Sequence, residues 1–243
     1  MEDVIFGRGP VTEALKAGRA IEKLFIRSGA YTGAIVPIVD TAKKKGIIIQ
    51  QTDPAKLAKL AEGGNHQGVL AIVNEYKYVS VKDIISRARD EGKSPFVIIC
   101  DKITDPHNLG AIIRTANCVG ASGVIIPKRG GVGVNSVVMK TSAGAAEYTP
   151  VAKVTNIAAT IEELQQEGLW ITAADMDGES MYGVDLKGAI GIVVGSEGSG
   201  VSRLVREKCD FIASIPMRGE INSLNASVAA SILMYEALRQ RSQ

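Results

Sequence analysis

Hydrophobic residues in this chain occur in two kinds of segment. One kind is a short run of β-branched residues, and the other is a longer stretch with one apolar face. After Phe96 the two kinds of segment alternate, which predicts strands separated by helices. Strands are predicted at 96–100, 123–126, 170–173, 190–194 and 211–215. Helices are predicted at 109–119, 136–145, 156–167, 202–208 and 224–239. Strands that are apolar throughout and lie between helices are typical of a parallel sheet covered on both faces.

The N-terminal part of the chain shows a shorter version of the same alternation. Helices are predicted at 11–17, 35–45 and 54–61, and strands at 21–26, 47–51 and 69–73. A polar stretch at 75–80 has no clear period and is the best candidate for a linker. The pattern therefore predicts an α/β protein with a small N-terminal α/β domain at 1–74 and a second α/β domain, with a parallel sheet, at 81–243.

Composition and charge narrow the classes of protein. The 243 residues are 46% hydrophobic and 22% charged, which is ordinary for a globular protein. The net charge of +2 gives no overall basic signature, so nucleic-acid binding has to be argued from local sites. No signal pattern and no long apolar run is present, which favours a cytoplasmic protein that does not span a membrane.

The cysteines and histidines do not predict a metal or disulfide site. Cys100, Cys118 and Cys209 lie in apolar surroundings and form no CxxC pair, so we interpret them as small buried residues in a reducing compartment. Their odd number argues against a disulfide framework. His66 and His107 do not combine with them at a spacing that zinc sites use, and no metal is expected.

Three polar motifs carry most of the chemistry in the sequence. They are NLGAIIRTA at 108–116, GSEGSG at 195–200 and IPMRGEINSLNAS at 215–227, and each follows a predicted strand. In open α/β sheets, loops that leave the carboxyl ends of strands build the ligand crevice. The three motifs together therefore predict one composite site.

Each motif also has an ordinary structural interpretation. The first could be a helix capped by Asn108 with one exposed Arg114. The second could be a plain turn, because its glycine order matches neither the dinucleotide fingerprint nor a P-loop. Glu197 within it would repel phosphate and suits an arginine or a ribose hydroxyl. In the third, Asn222, Ser223 and Asn225 can bind polar ligand edges, whereas the following alanines are typical of core packing.

Taken together, the motifs resemble those of the SpoU branch of the SPOUT superfamily, the ribose 2′-O RNA methyltransferases. The resemblance runs from about Pro95 to Arg241, with Ala226 where valine is common. The segments GRGPVTEAL at 7–15 and NHQGVLAIV at 65–73 resemble the ribosomal-protein-like, RNA-binding substrate domain of 23S rRNA guanosine 2′-O-methyltransferases.

This resemblance implies a cofactor, an assembly and a set of site residues. The cofactor is S-adenosylmethionine (SAM), bound at a C-terminal trefoil knot, and the protein is a homodimer packed through the knotted region. The implied cofactor-binding residues are Gly195, Ser196, Ile215, Met217 and Leu224. The implied catalytic residues are Asn108, Arg114, Glu197, Ser223 and Asn225.

Family models make the arginine of the first motif the base that accepts the ribose proton. Guanidinium groups stay protonated in proteins, so we expect Arg114 to hold a phosphate and stabilise developing alkoxide charge. Glu197 is expected to orient Arg114 by a charge-assisted pair. Asn108 and Asn225 are expected to fix ribose and loop geometry.

The favoured substrate is a guanosine of 23S rRNA. A tRNA ribose methyltransferase and a non-catalytic RNA-binding or ribosome-assembly protein are the alternatives. The presence of the whole polar set argues against the non-catalytic one.

Overall fold

A computed structural model describes residues 2–29, 33–220 and 223–243 of the chain. They form two compact units. The N-terminal unit comprises the described residues of Met1–Lys77 together with Val134–Tyr148. The C-terminal unit comprises Tyr78–Gly133 and the described residues of Thr149–Gln243. No helix in the described ranges is long and apolar enough to cross a membrane.

The N-terminal unit is a small α/β structure, as predicted. In its described residues four strands form one sheet in the order β1-β4-β2-β3, with β2 and β3 parallel and the other pairs antiparallel. Phe6, Phe25, Leu57 and Leu70 form a core cluster in this unit. The elements are β1 (Glu2–Phe6), α1 (Arg8–Lys16), β2 (Ile21–Arg27), α2 (Val36–Lys44), β3 (Ile48–Thr52), α3 (Pro54–Leu60) and β4 (Val69–Asn74). Strand β1 was not predicted.

A segment distant in sequence completes the N-terminal unit. Val134–Tyr148, which includes a short helix at Ser136–Thr141, packs against β1 and α1. Arg19 pairs with Glu147 at 2.9 Å, with side chains only 10% and 8% exposed. The predicted linker at 75–80 stays a prediction, but the compact unit takes in residues that the sequence pattern assigned to the second domain.

The C-terminal unit is built on a parallel sheet, as predicted. In its described residues the strand order is β10-β8-β9-β5-β6-β7, and each neighbouring pair is parallel. The strands are β5 (Phe96–Cys100), β6 (Gly123–Pro127), β7 (Val151–Val154), β8 (Trp170–Ser180), β9 (Ile190–Val194) and β10 (Phe211–Ser214). The helices are α4 (Val81–Asp90), α5 (Pro106–Cys118), α6 (the Ser136–Thr141 helix of the N-terminal unit), α7 (Ile157–Gln166), α8 (Arg203–Lys208) and α9 (Ala226–Arg241). Residues of β5, β6 and β9 are all buried, which explains their unbroken apolar sequences.

Strand β8 continues well beyond its predicted end. It pairs with β10 first at Thr172 and Ala173 and again at Glu179 and Ser180. The intervening residues 174–178 therefore leave the ladder and widen the space at the carboxyl end of the sheet. A Cβ on Gly178 would lie 2.5 Å from the carbonyl oxygen of Ile212, so only glycine permits the strands to meet again here. The predicted trefoil knot stays a prediction.

Candidate active site

A cavity of about 680 Å³ opens at the carboxyl ends of β8, β9 and β10. Its volume falls within the ~300–1,000 Å³ range of small-molecule sites. Its walls come from the loop 195–200, the segment after β10 and the start of α9. Among the lining residues are all five that were predicted to bind cofactor: Gly195, Ser196, Ile215, Met217 and Leu224.

The loop after β9 folds tightly back on itself beside this cavity. Ser196 and Gly200 exchange backbone hydrogen bonds of 3.2 and 2.9 Å. A Cβ on Gly195 would lie 2.0 Å from the carbonyl carbon of Gly200. The second motif thus brings two backbone segments together at a distance that any side chain at 195 would prevent.

The structure corrects the predicted role of Asn108 as a helix cap. Helix α5 begins earlier, because Asp105 caps it by accepting from the backbone N–H of His107 at 2.8 Å and Pro106 suits its first turn. Asn108 therefore lies inside the helix and is only 6% exposed. Its amide donates to Glu197 Oε1 at 3.0 Å, which links the first motif to the second.

Asn225 joins the third motif to this pair. Its Nδ2 donates to Asn108 Oδ1 at 3.0 Å and also to Glu197 Oε1. Its own Oδ1 accepts from the backbone N–H of Ser227 at 2.9 Å, so the same side chain caps α9. The amide network Asn108–Glu197–Asn225 therefore ties together three motifs whose first and last members are 117 residues apart in the sequence.

The other two predicted catalytic residues, Ser223 and Arg114, differ in their position relative to the cavity. Ser223 lines the cavity, whereas Arg114 is exposed on α5 and does not. Within the described residues Arg114 has no hydrogen bond or ion pair, so the expected pairing with Glu197 is absent from this chain. Glu197 instead accepts from two amides. Asn222 lies outside the described residues.

Two carboxylates at the site were not predicted. Asp101 follows β5, is 4% exposed, and accepts at Oδ2 from the backbone N–H of Ser202 at 2.7 Å. It thereby holds the far end of the loop after β9. Asp175 lines the cavity and lies 3.3 Å from Arg206 Nε. An acidic residue directly after a wholly apolar strand was the available signal for Asp101; the polar sequence around Asp175 offered none.

The described residues contain no group of three or more His, Cys, Asp or Glu side chains placed to hold a metal. Burial raises the pKa of the Cys100 thiol to about 12, which fits the predicted buried role. Cys118 is exposed, contrary to the prediction.

The cavity fits SAM in size and charge. Gly195 lets the loop after β9 close on Gly200 beside the cavity. Apolar walls from Ile215, Met217 and Leu224 suit an adenine ring. Glu197 and Asp175 both line this space, and acidic side chains favour a ligand with positive charge such as a sulfonium or ammonium group.

Comparisons with known proteins agree with this geometry. Residues 95–235 match the model of the SpoU rRNA Methylase family, and residues 4–79 match that of RNA 2′-O ribose methyltransferase substrate binding. The putative TrmH family tRNA/rRNA methyltransferase YacO of Bacillus subtilis is 44% identical over 240 residues, covering 98% of this chain and 96% of the relative. A Staphylococcus epidermidis relative with the same family name is 46% identical over 246 residues, covering 100% of this chain and 98% of the relative.

A solved structure supports the fold. The SpoU methyltransferase AviRb from Streptomyces viridochromogenes, in complex with AdoMet, superposes with a TM-score of 0.84 at 24% identity, covering 100% of this chain and 91% of that one. The matched family models cover most of the chain, and the three motifs meet at one cavity. The chain therefore belongs to the SpoU family of RNA methyltransferases, whose methyl donor is S-adenosylmethionine.

Proposed function

We propose that this chain methylates a ribose 2′-hydroxyl of RNA, with a guanosine of 23S rRNA as the favoured target. The observation that carries this proposal is the amide network Asn108–Glu197–Asn225 at the rim of the cavity. A protein that only bound RNA would have no need to fix these three polar side chains beside a cofactor-sized cavity.

The cofactor supplies a methyl group on a sulfonium, which is activated for transfer without a metal. Main chain at Gly195, Ile215 and Leu224 holds its adenosine part. Glu197 and Asp175 favour its positive charge. Because Asn225 both caps α9 and donates to Glu197, the helix start fixes the position of that carboxylate.

Arg114 is the residue that meets the RNA. It is exposed, and its guanidinium has no partner among the described residues of this chain, so it is available to a phosphate. A protonated guanidinium cannot accept the ribose proton, but it can lower the cost of developing negative charge on the 2′-oxygen. Since Glu197 does not hold Arg114, orientation of the guanidinium comes from the RNA or from a second protomer.

A homodimer is the proposed assembly. Helix α9 exposes Val228 and Tyr235, seven residues apart and hence on one face, with exposed fractions of 45% and 53%. A second copy that covered this face would remove apolar surface from water. Y235E should shift the sedimentation coefficient to that of a monomer, whereas I48E, at an exposed residue of β3, should not; equal behaviour of the two variants would refute this face as the interface.

The domain at 4–79 and the family description favour rRNA, while the names of the relatives include tRNA. A direct test is transfer of tritiated methyl from SAM to 23S rRNA fragments and to bulk tRNA, followed by mapping of the modified ribose. Label at one rRNA guanosine is expected. Label on tRNA alone would show that the substrate is tRNA and not 23S rRNA. No label on either RNA would support a non-catalytic role. A cytoplasmic location stays a prediction.

A further inference from the structure

Three cations lie together at the half of the sheet edge that the cavity does not occupy. Lys102 follows β5, and Lys128 and Arg129 follow β6; all three are exposed. We call Lys102, Lys128 and Arg129 the basic ridge. Because β5 and β6 pair in parallel, with Ile99 opposite Ile125, the loops that carry Lys102 and Lys128 leave the sheet at the same edge.

Backbone hydrogen bonds hold the two loops of the basic ridge to each other and to the end of β7. The N–H of Val132 donates to the carbonyl of Ile103 at 2.8 Å, and the N–H of Lys128 donates to the carbonyl of Val154 at 2.7 Å. A Cβ on Gly131 would lie 2.9 Å from Pro127 Cγ, so the turn packs closely on the end of β6. The cations therefore stand on fixed backbone, which lowers the entropy that a ligand must remove.

Lys102 has a left-handed backbone conformation, with φ of +58°. A lysine in this region is strained, and such strain persists only where neighbouring contacts impose it. Its neighbours Asp101 and Ile103 are buried, 4% and 3% exposed, so the turn directs only the lysine to solvent. The fold thus maintains an unfavourable backbone whose result is an exposed cation.

The charges of the basic ridge are not neutralised within the described chain. No ion pair or hydrogen bond from the side chains of Lys102, Lys128 or Arg129 is found among the described residues. Some other cations of the C-terminal unit are paired, as Arg203 is with Glu207 and Lys208 with Glu162. An unpaired, preorganised cluster of lysine and arginine suits a polyanion.

Lys102 of the basic ridge is linked to the wall of the cavity through its neighbour Asp101. Asp101, next to Lys102, donates its backbone N–H to the carbonyl of Val194 at 2.8 Å, and Val194 lines the cavity. We infer that the basic ridge binds backbone phosphates of the RNA segment that flanks the methylated nucleotide. This inference rests on the proposed function and adds to it the surface of the C-terminal unit that aligns the substrate.

The test compares two double variants of the full-length protein that remove the same charge. K128Q/R129Q alters the basic ridge. K93Q/K187Q alters two exposed lysines that precede β5 and β9, at the opposite edge of the sheet. K102Q is measured as a single variant. Thermal denaturation checks that each variant is folded, and calorimetric titration with SAM reports on the cofactor site.

RNA binding is measured with a 23S rRNA transcript at several salt concentrations. K128Q/R129Q should bind about tenfold more weakly than K93Q/K187Q near physiological salt, with the slope of log affinity against log salt reduced by about 1–2, while SAM affinity is unchanged. If K128Q/R129Q has the same RNA affinity and the same salt dependence of affinity as K93Q/K187Q, the inference is overturned. The basic ridge would then suit an acidic protein partner instead of RNA. Methyl transfer by the wild type is assayed in parallel. Absence of methyl transfer would refute the proposed function. Methyl transfer together with normal RNA binding by K128Q/R129Q would refute only the role of the basic ridge in RNA binding.

Discussion

Replacing Gly195 with alanine tests whether the loop after β9 shapes the cofactor cavity. The added Cβ would lie 2.0 Å from the carbonyl carbon of Gly200, 2.1 Å from its oxygen and 2.2 Å from the nitrogen of Val201. All three are backbone atoms, so no change of side-chain rotamer can relieve the contact. Ordinary contact begins at 3.4 Å, and the two backbone segments must therefore separate by about 1.4 Å.

The size of the effect follows from this displacement. Overpacking costs ~1–3 kcal/mol, and separation also weakens the paired hydrogen bonds between Ser196 and Gly200, each worth ~1 kcal/mol. Without cofactor the loop can move outward and release part of this strain. Binding of SAM then has to restore the compact loop. If that costs about 1.4–3 kcal/mol, the affinity for SAM falls by roughly 10- to 150-fold.

The assay is calorimetric titration of SAM into G195A and into a matched control, G198A. Gly198 lies in the same loop, its backbone is not left-handed, and a Cβ there would meet nothing within 4 Å. G198A should therefore bind SAM like the wild type. Equal affinities for G195A and G198A, with both proteins folded by thermal denaturation, would refute the argument that this close approach forms the cofactor site.

Variants at three further residues separate the roles of the polar side chains. N225D keeps an acceptor that caps α9, but it loses the amide donor and places a second carboxylate beside Glu197, so its turnover should fall. Its unfolding temperature should change less than that of N225A, because N225A also loses a cap worth ~1 kcal/mol. R114K should lose at least tenfold in turnover with unchanged SAM affinity, because lysine lacks the bidentate fork; near-full turnover would refute an oriented guanidinium. D101A leaves the N–H of Ser202 without its acceptor and should weaken SAM binding by about tenfold in titration, whereas D101N, which retains an acceptor oxygen, should lose less.

The parts of the fold that could be predicted are those fixed by local sequence. Strands β5 and β9 have the predicted bounds, because burial on both faces requires an unbroken apolar run. Strands β1 and β7 were missed because each is short and contains charged residues: Glu2 and Asp3 in β1, and Lys153 in β7. The continuation of β8 depends on pairing with β10 about thirty residues later, which no local pattern encodes.

The candidate site shows the same division between local and distant determinants. The three motifs predicted one composite site, and Ser223 and the residues that the family resemblance assigned to the cofactor all line one cavity. The motifs did not determine which polar groups would pair. Glu197 and Arg114 have complementary charge, yet Glu197 accepts from Asn108 and Asn225, because α5 begins at Pro106 and turns the Asn108 amide toward the second motif.

The strand order places the proposed RNA surface next to the cofactor cavity at one edge of the sheet. Strand β9 lies between β8 and β5, so the loop after β9 has the cofactor cavity on one side and the loop that starts at Asp101 on the other. Asp101 is bonded to both ends of the loop after β9, through its backbone to Val194 and through its carboxylate to Ser202. The next residue, Lys102, belongs to the basic ridge. An RNA phosphate held at Lys102 is therefore one residue away from the contacts that set the cofactor loop, and the buried Asp101 is the physical link between the two surfaces.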